Sequence, residues 1–267
     1  MELPRLSKSS TFDGIHFHRS GEGPALLMIH GVGMCADSWY QQVAQLSSDF
    51  TVYALDLPGH GESRALEVEY LDVSLAHFVA AVEDFIDTEI KTELVICGHS
   101  LGALIAAEIA SKRTKTVSGL LLLNPVFRRS KIARQAVRIR ANKLAKSNTV
   151  IGVEQTLDRW FGVPPKKAMH RHVWMCYKWL TQNSVPGYAA AYKAFADVSG
   201  VSKKTLKDID ASAIFMTGDQ DPNSTAEMSQ SMADTRQRHK SVVVAGAGHM
   251  LPLTHVDEVC NQLLFMT

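Results

Sequence analysis

Ser100 lies in the stretch ICGHSLGAL (96–104), where a hydroxyl side chain separates two runs of different character. Strand-forming residues precede it, helix-forming residues follow it, and glycines stand two places before and two places after it, at Gly98 and Gly102. The pattern G-x-S-x-G between a strand and a helix is typical of a serine nucleophile held on a strained turn, where larger neighbours would collide. The alternative is a buried helix cap. The flanking elements favour the nucleophile.

A serine hydroxyl is a weak nucleophile and needs a base to take its proton. His249 lies in AGAGHMLPL (245–253), a glycine-rich loop that follows the last apolar run and can reach the edge of a sheet. The other histidines weighed lie in tight loops, in the serine turn, on helices or in a long insertion: His30, His60, His77, His99, His170, His172 and His255. We therefore predict that His249 is the base.

The base needs an acid to orient it, and MTGDQDPNS (216–224) offers Asp219 and Asp221. Asp221 stands farther out in the loop, where its carboxylate can meet His249, so we predict that Asp221 is the acid. Asp219 is better suited to forming the turn, although an exchange of roles between the two stays open. Another place for an acid, the end of an earlier apolar run, is occupied by Asn124, which is neutral and would stabilise an imidazolium poorly.

The elements that must position these residues follow from short apolar runs, which predict strands buried on both faces of a parallel sheet. These runs are ALLMIHG (25–31), TVYALDL (51–57), ELVICG (93–98), VSGLLLLNP (117–125), AIFMTGD (213–219) and SVVVAG (241–246). Helical stretches such as 74–90, 101–113 and 225–235 lie between them. The alternation predicts an α/β fold with a mostly parallel, doubly wound sheet, in which Ser100, Asp221 and His249 each follow a strand.

The alternation stops after residue 124. Residues 125–204 predict several helices and no strand, and they contain 16 Lys and Arg against 3 Asp and Glu. A segment so different in charge is expected to be a separate unit. We predict a core formed by 1–124 and 205–267, with 125–204 as a basic helical lid over the sheet edge where open α/β folds bind ligands.

The function of the basic charge has two interpretations. Residues 127–149 hold eight Lys and Arg and no acid, which fits either a solvated helix face or a surface that attracts anions. The anions considered are a carboxylate-bearing substrate, an acidic carrier protein and an anionic membrane surface. No nucleic-acid partner is predicted, because the net charge of the whole chain is only +1.

Composition sets the broad class. Apolar residues make up 46% and charged residues 21%, as in ordinary globular proteins. No run is apolar for the roughly 20 residues of a transmembrane helix, and MELPRLSKSS lacks the core of a signal peptide. The four cysteines form no CxxC pair and the histidines form no HExxH motif, so no metal or cofactor is predicted and a cytoplasmic location is expected.

Five motifs in order carry a resemblance to a known family: HGVGMCADSW (30–39), DLPGHGES (56–63), GHSLG (98–102), GDQDP (218–222) and GAGHMLP (246–252). Together they resemble the oxyanion, elbow, acid and histidine loops of the α/β-hydrolase superfamily. Within it the chain resembles small lidded esterases and lactonases, including pimeloyl-carrier methyl-ester esterases and enol-lactone hydrolases. The resemblance implies an α/β-hydrolase fold with the lid between its sixth and seventh strands.

The resemblance also implies an oxyanion hole formed by two backbone N–H groups. One belongs to Leu101, the residue after the nucleophile, and the other to Val32, in a loop where glycines permit close approach. Met34, Trp39 and Met250 are candidates for the substrate pocket, with ordinary core packing as an equally good interpretation.

The expected activity is hydrolysis of a small carboxylic ester or lactone through an acyl-enzyme. Cleavage of a C–C, thioester or amide bond on the same triad, or acyl transfer, stays open, as does a non-catalytic ligand receptor with this fold. A serine at the elbow argues against dehalogenase or epoxide hydrolase chemistry, which needs a carboxylate nucleophile.

Overall fold

Eight strands form one sheet in the order β1-β2-β4-β3-β5-β6-β7-β8. The computed structural model describes residues 2–7 and 9–266. The strands are β1 (Ser9–Phe12), β2 (Ile15–Ser20), β3 (Ala25–Ile29), β4 (Thr51–Leu55), β5 (Leu94–His99), β6 (Val117–Leu123), β7 (Ser212–Gly218) and β8 (His239–Val244). β1 and β2 pair antiparallel, and β2 pairs antiparallel with β4, whereas every pairing from β4 to β8 is parallel. The predicted mostly parallel sheet is confirmed.

The six strands expected from the apolar runs are β3 to β8, and the sequence prediction missed β1 and β2. In β2 the apolar pattern is interrupted by His16 and His18, yet both side chains are buried. His16 Nδ1 lies 2.9 Å from Asp56 Oδ2, and His18 Nε2 lies 3.8 Å from Asp37 Oδ1. Burial of these polar side chains depends on partners distant in sequence, which a local apolar pattern does not reveal.

Helices cover both faces of the sheet, and they are α1 (Tyr40–Leu46), α2 (Leu75–Glu89), α3 (Leu101–Lys112), α4 (Lys131–Ala145), α5 (Val153–Phe161), α6 (His170–Gln182), α7 (Val185–Asp197), α8 (Lys203–Asp208), α9 (Ala226–Ala233), α10 (Leu251–Thr254) and α11 (Val256–Leu264). Short 3-10 helices occupy Ala36–Trp39 and Lys167–Met169. No helix within 2–7 and 9–266 combines the length and apolar character needed to cross a membrane.

The core has two parts because side chains along a strand alternate between faces. In β3, Leu27 and Ile29 join the larger cluster, which includes buried side chains of α2 and α3. Leu26 and Met28 point to the opposite face and join the cluster that includes α1 and α11. Each central strand is therefore buried on both sides, which accounts for its continuous apolar sequence.

Five helices, α4 to α8, lie between β6 and β7. This segment contacts loops of the core: Asn183 Nδ2 donates to the carbonyl oxygen of Gly33 at 2.8 Å, and Lys193 Nζ donates to that of Val73 at 2.8 Å. The lid boundary expected at residue 204 falls inside α8. Thr205 Oγ1 donates to Glu108 Oε1 of α3 at 2.8 Å, so α8 is tied to the core helices.

Candidate active site

Ser100 stands on the turn between β5 and α3, with φ 53° and ψ −108°. A positive φ is uncommon for a residue with a Cβ atom and stores strain that the surrounding structure must hold. Two backbone hydrogen bonds fix this conformation: Ser100 N donates to Leu123 O at 2.9 Å, and Ser100 O accepts from Ala103 N at 3.1 Å. This is the backbone of a nucleophile elbow.

The glycines around the serine permit the turn by leaving space. A Cβ atom on Gly98 would lie 2.3 Å from the carbonyl oxygen of Gly102, across the turn. A Cβ atom on Gly102 would lie 2.1 Å from the carbonyl oxygen of Ile29 in the neighbouring strand β3. Both distances are far shorter than a van der Waals contact, so the elbow and its packing on β3 require glycine at both places.

His249 and Asp221 meet above the carboxyl edge of the sheet. His249 Nδ1 lies 2.7 Å from Asp221 Oδ2, and both side chains are buried. Because a carboxylate only accepts, the His249 tautomer with a proton on Nδ1 donates to it, which leaves Nε2 as the free basic nitrogen. His249 and Ser100 both line one cavity.

Asp221 is held ionised by several donors. Besides His249, its oxygens accept from Asn124 Nδ2 at 2.8 Å and from Asn223 N at 2.8 Å. Burial opposes ionisation, but the attraction of His249 and these hydrogen bonds outweigh it, so the pKa of the Asp221 carboxyl lies below its usual value. Asn124, expected to be a poor acid, instead supports the acid next to it.

Asp219 lies elsewhere. Its side chain is exposed, and its Oδ1 accepts from Gly246 N at 2.8 Å, which ties together the loops after β7 and β8. The structure therefore gives Asp219 the turn-forming contact and brings Asp221 to His249.

The loop after β3 passes beside Ser100. A Cβ atom on Gly31 would lie 3.2 Å from Ser100 Cβ, so this backbone passes directly beside the serine. Val32 lines the cavity together with Ser100, and Leu101 opens α3. Within the described residues, the backbone N–H groups of Val32 and Leu101 have no acceptor.

Three buried histidines support these loops without acting as bases. His60 Nε2 accepts from Gly33 N at 3.0 Å, and burial lowers the pKa of His60 to about 3. His30 Nε2 accepts from Leu57 N at 2.9 Å. His99 Nε2 donates to the carbonyl oxygen of His249 at 2.9 Å, and burial likewise lowers the pKa of His99 to about 3. All three stay neutral and act as fixed hydrogen-bonding groups.

The cavity beside Ser100 has a volume of about 510 Å³, which is the size of a small-molecule site. The segment between β6 and β7 supplies most of its lining residues, including Arg140 from α4, Trp160 from α5, and Tyr188 and Tyr192 from α7. The Trp160 ring stacks on that of His249, with centroids 5.9 Å apart and planes at 25°.

The three side chains suggested for the pocket do not line this cavity. Met34, Trp39 and Met250 are each no more than 1% exposed and belong to the two core clusters. Core packing, the other interpretation of these residues, is the one that their positions fit.

Sequence reasoning missed the residues that the insertion contributes, Trp160 and Tyr188 among them, because no motif marks them. One signal was available. Ala133, Val137 and Arg140 are spaced three and four apart and line the cavity together, so they share one face of α4. That spacing would have placed Arg140 on the inner face of the helix.

Residues 2–7 and 9–266 contain no group of three or more His, Cys, Asp or Glu side chains arranged to hold a metal ion. The chemistry that the site can perform with its own side chains is nucleophilic attack by Ser100, with proton transfer through His249.

Comparison with known proteins identifies the family. Residues 26–262 match the family model described as the Alpha/beta hydrolase family. The chain is 37% identical over 250 residues to an (E)-2-((N-methylformamido)methylene)succinate hydrolase from Acinetobacter baylyi. The alignment covers 93% of this chain and 92% of that protein. It is 30% identical over 184 residues to a pimeloyl-[acyl-carrier protein] methyl ester esterase from Aeromonas hydrophila, over 66% and 68% of the two chains.

A solved structure shares the fold. The enol-lactonase from Burkholderia xenovorans superposes with a TM-score of 0.85 at 21% identity, over 97% of this chain and 98% of that one. The resemblance to esterases and lactonases expected from the five motifs is confirmed. The chain belongs to the alpha/beta hydrolase family and is an esterase-like enzyme.

Proposed function

We propose that this enzyme cleaves a carboxylic ester or lactone of a small molecule through a covalent acyl-enzyme on Ser100. His249 is the general base and Asp221 orients it, as expected from the sequence. The observation that carries the proposal is the His249–Asp221 hydrogen bond of 2.7 Å, on a histidine that shares one cavity with the strained Ser100 turn.

The reaction proceeds in two halves. Ser100 Oγ attacks the substrate carbonyl while His249 Nε2 takes the hydroxyl proton, and the same nitrogen then delivers that proton to the departing alcohol. A water molecule next gives a proton to His249 and attacks the acyl carbonyl; the bond between Ser100 Oγ and the acyl group breaks, His249 returns the proton to Ser100 Oγ, and the acid leaves. Asp221 holds the tautomer with a proton on Nδ1 and stabilises the imidazolium in both halves.

The oxyanion that forms in each half is held by the backbone N–H groups of Val32 and Leu101. Their lack of an acceptor within the described residues supports this role. Each such donor contributes about 3 kcal/mol to lowering the barrier in enzymes of this type.

We further propose that α4 to α7 act as the lid of the site. Support comes from Arg140, Trp160 and Tyr188, which line the cavity from three of these helices. Substrate size and shape are then selected by this segment, while the core performs the chemistry. The core is 1–124 and 205–267 as expected from sequence, with α8 added because of its hydrogen bond to α3.

A second candidate is hydrolysis of an amide-type bond in a carboxylated substrate. It is favoured by the relative from Acinetobacter baylyi, whose substrate name contains a formamido group and a succinate. An ester of an acidic carrier protein is a further candidate, because the relative from Aeromonas hydrophila is named for such an ester. A panel containing a free ester, a lactone, a formamido-succinate and a carrier-bound methyl ester separates these substrates.

The test of the catalytic proposal is Ser100→Ala. The variant should fold like the parent, lose at least about 10³-fold in kcat for p-nitrophenyl esters, and fail to react with a fluorophosphonate probe. Circular dichroism and thermal unfolding check the fold. Substantial turnover or labelling by a folded Ser100→Ala protein contradicts the assignment.

A further inference from the structure

The wall of the active-site cavity carries four arginines, Arg128, Arg129, Arg140 and Arg159. Among the described residues, no Asp or Glu lines this cavity. The nearby carboxylate of Asp197 is engaged by other cations, since it pairs with Arg138 at 2.9 Å and with Lys193 at 2.8 Å. The residues that line the cavity therefore carry an excess of positive charge, and Asp158, which attracts Arg159, lies outside this lining.

Two of these arginines make contacts with neighbouring groups of the protein. Arg129 is buried, donates to the carbonyl oxygens of Phe195 and Val198, and stacks over the Phe195 ring at 4.1 Å. Arg128 is exposed and lies over the Phe127 ring at 5.3 Å. Both add charge to the cavity. Arg129 Nε and Nη1 have no hydrogen-bond partner within the described residues, but they are buried, whereas Arg128 is exposed to solvent.

Arg140 and Arg159 are each held by one hydrogen bond to an uncharged group. Arg140 Nε donates to the hydroxyl of Tyr192 at 3.0 Å, and Arg159 Nη2 donates to Thr156 Oγ1 at 3.0 Å. Both side chains are half-buried, and their remaining N–H groups have no acceptor within the described residues. One uncharged contact fixes each guanidinium in place, and the other donors stay open.

Burying several arginines close together lowers the stability of the folded protein unless an anion is bound. Burial, and next the repulsion of Arg134, lowers the pKa of Arg129 to about 10; Arg140 repels it as well. Burial lowers the pKa of Arg159 too, and Arg140 again contributes by repulsion. Burial and mutual repulsion thus make the charged guanidinium groups less favourable, the attraction of Asp158 offsets this only in part for Arg159, and a bound anion would favour the charged form.

We propose that Arg140 and Arg159 bind a free carboxylate of the substrate while Ser100 attacks its ester, lactone or amide carbonyl. The substrate is then a small acid derivative with one reacting carbonyl and one spectator carboxylate. The guanidinium fork matches the two oxygens of a carboxylate, and the aromatic walls from Trp160, Tyr188 and Tyr192 accommodate a short carbon chain between them. This inference rests on the proposed function, since it specifies the substrate of the same site.

The kinetic experiment compares two p-nitrophenyl esters of similar size, the hemisuccinate with a free carboxylate and the neutral butyrate. Arg140→Gln and Arg159→Gln should each lower kcat/KM for the hemisuccinate by about 10- to 100-fold, mainly through KM, because each removes a charge-assisted hydrogen bond. For the butyrate, kcat/KM should change by less than about threefold. Lys143→Gln removes one exposed charge from the same helix outside the cavity and should leave both esters unchanged.

Equal losses for both esters would assign the arginines a structural role and overturn the proposal. A binding experiment keeps the two hypotheses separate. Titration of succinate into the Ser100→Ala protein should give a Kd that Arg140→Gln and Arg159→Gln each raise by about 10-fold or more. Succinate binding without fluorophosphonate labelling of the parent would refute the catalytic proposal alone, whereas labelling with unchanged succinate affinity in both arginine variants would refute the carboxylate site alone.

Discussion

Asp221 accepts hydrogen bonds from His249, Asn124 and the backbone of Asn223, so both of its oxygens are engaged. These hydrogen bonds fix the position of the carboxylate, and the carboxylate in turn fixes His249. The carboxylate sets the tautomer of His249, and the neutral amide of Asn124 holds the carboxylate without competing for the proton. A second carboxylate at residue 124 would repel the first, so a neutral donor is the better neighbour.

Asp221→Asn should lower kcat by about 10³- to 10⁴-fold, because an amide at this place no longer fixes the His249 tautomer that leaves Nε2 basic. Steady-state hydrolysis of a p-nitrophenyl ester measures the effect. Asp219→Asn is the matched control in the same loop, and its activity should stay within about twofold. A larger loss of kcat in Asp219→Asn than in Asp221→Asn would show that Asp219, and not Asp221, orients the histidine.

At the scale of elements, the turn from β5 to α3 is where backbone packing and chemistry meet. Gly102 lies in the first turn of α3, against the carbonyl oxygens of Ile29 and His30. This contact sets how closely α3 approaches β3, and with it the position of Leu101 N relative to the loop that carries Val32. The helix and the loop are thus positioned by one glycine.

Gly102→Ala should lower the free energy of unfolding by about 3 kcal/mol, because its Cβ atom would meet backbone at 2.1 Å that cannot move away. The sign of this change in the free energy of unfolding is informative, because a glycine-to-alanine exchange in an uncrowded helix raises stability by about 1 kcal/mol. Urea denaturation measures the change. Ser111→Ala, on the last turn of the same helix, should change stability by less than about 0.5 kcal/mol, and a stabilised Gly102→Ala protein would contradict the packing argument.

For the whole molecule, Asp56 connects segments that are far apart in sequence. Its buried carboxylate accepts from Ala36 N at 2.7 Å, from Glu62 N at 3.0 Å and from His16 Nδ1 at 2.9 Å. Burial opposes its ionisation, but the hydrogen bond from His16 and the two backbone donors keep the pKa of Asp56 below its usual value. The strand β2 and the loops after β3 and β4 depend on this one charge.

Asp56→Asn should reduce the free energy of unfolding at neutral pH by about 3 kcal/mol, since a buried charged network loses one partner. The folded-state pKa lies below the unfolded value of about 3.9, so the contribution is complete above that pH and is lost as the pH falls through the folded pKa. The difference between variant and parent should therefore shrink in acid, as measured by urea unfolding at about pH 7 and about pH 3.

Asp13→Asn provides the comparison, because Asp13 is exposed and its only ion pair within the described residues, with Arg64, spans 3.7 Å. Its substitution should change stability by less than about 0.5 kcal/mol at either pH. An Asp56→Asn deficit that stays constant with pH would show that packing, and not charge, carries the effect.

The sequence by itself determined the parallel sheet and led to the proposed triad, because each of the three proposed residues lies in the segment that follows a short apolar strand. Parallel strands bring their carboxyl ends to one edge, so local patterns around Ser100, Asp221 and His249 suffice to place them near one another. Only the tertiary structure shows which residues line the cavity. Arg140 and Trp160 lie on helices without motifs, and which helix faces reach the site depends on packing between distant segments, as does the burial of His16 in the unexpected strand β2.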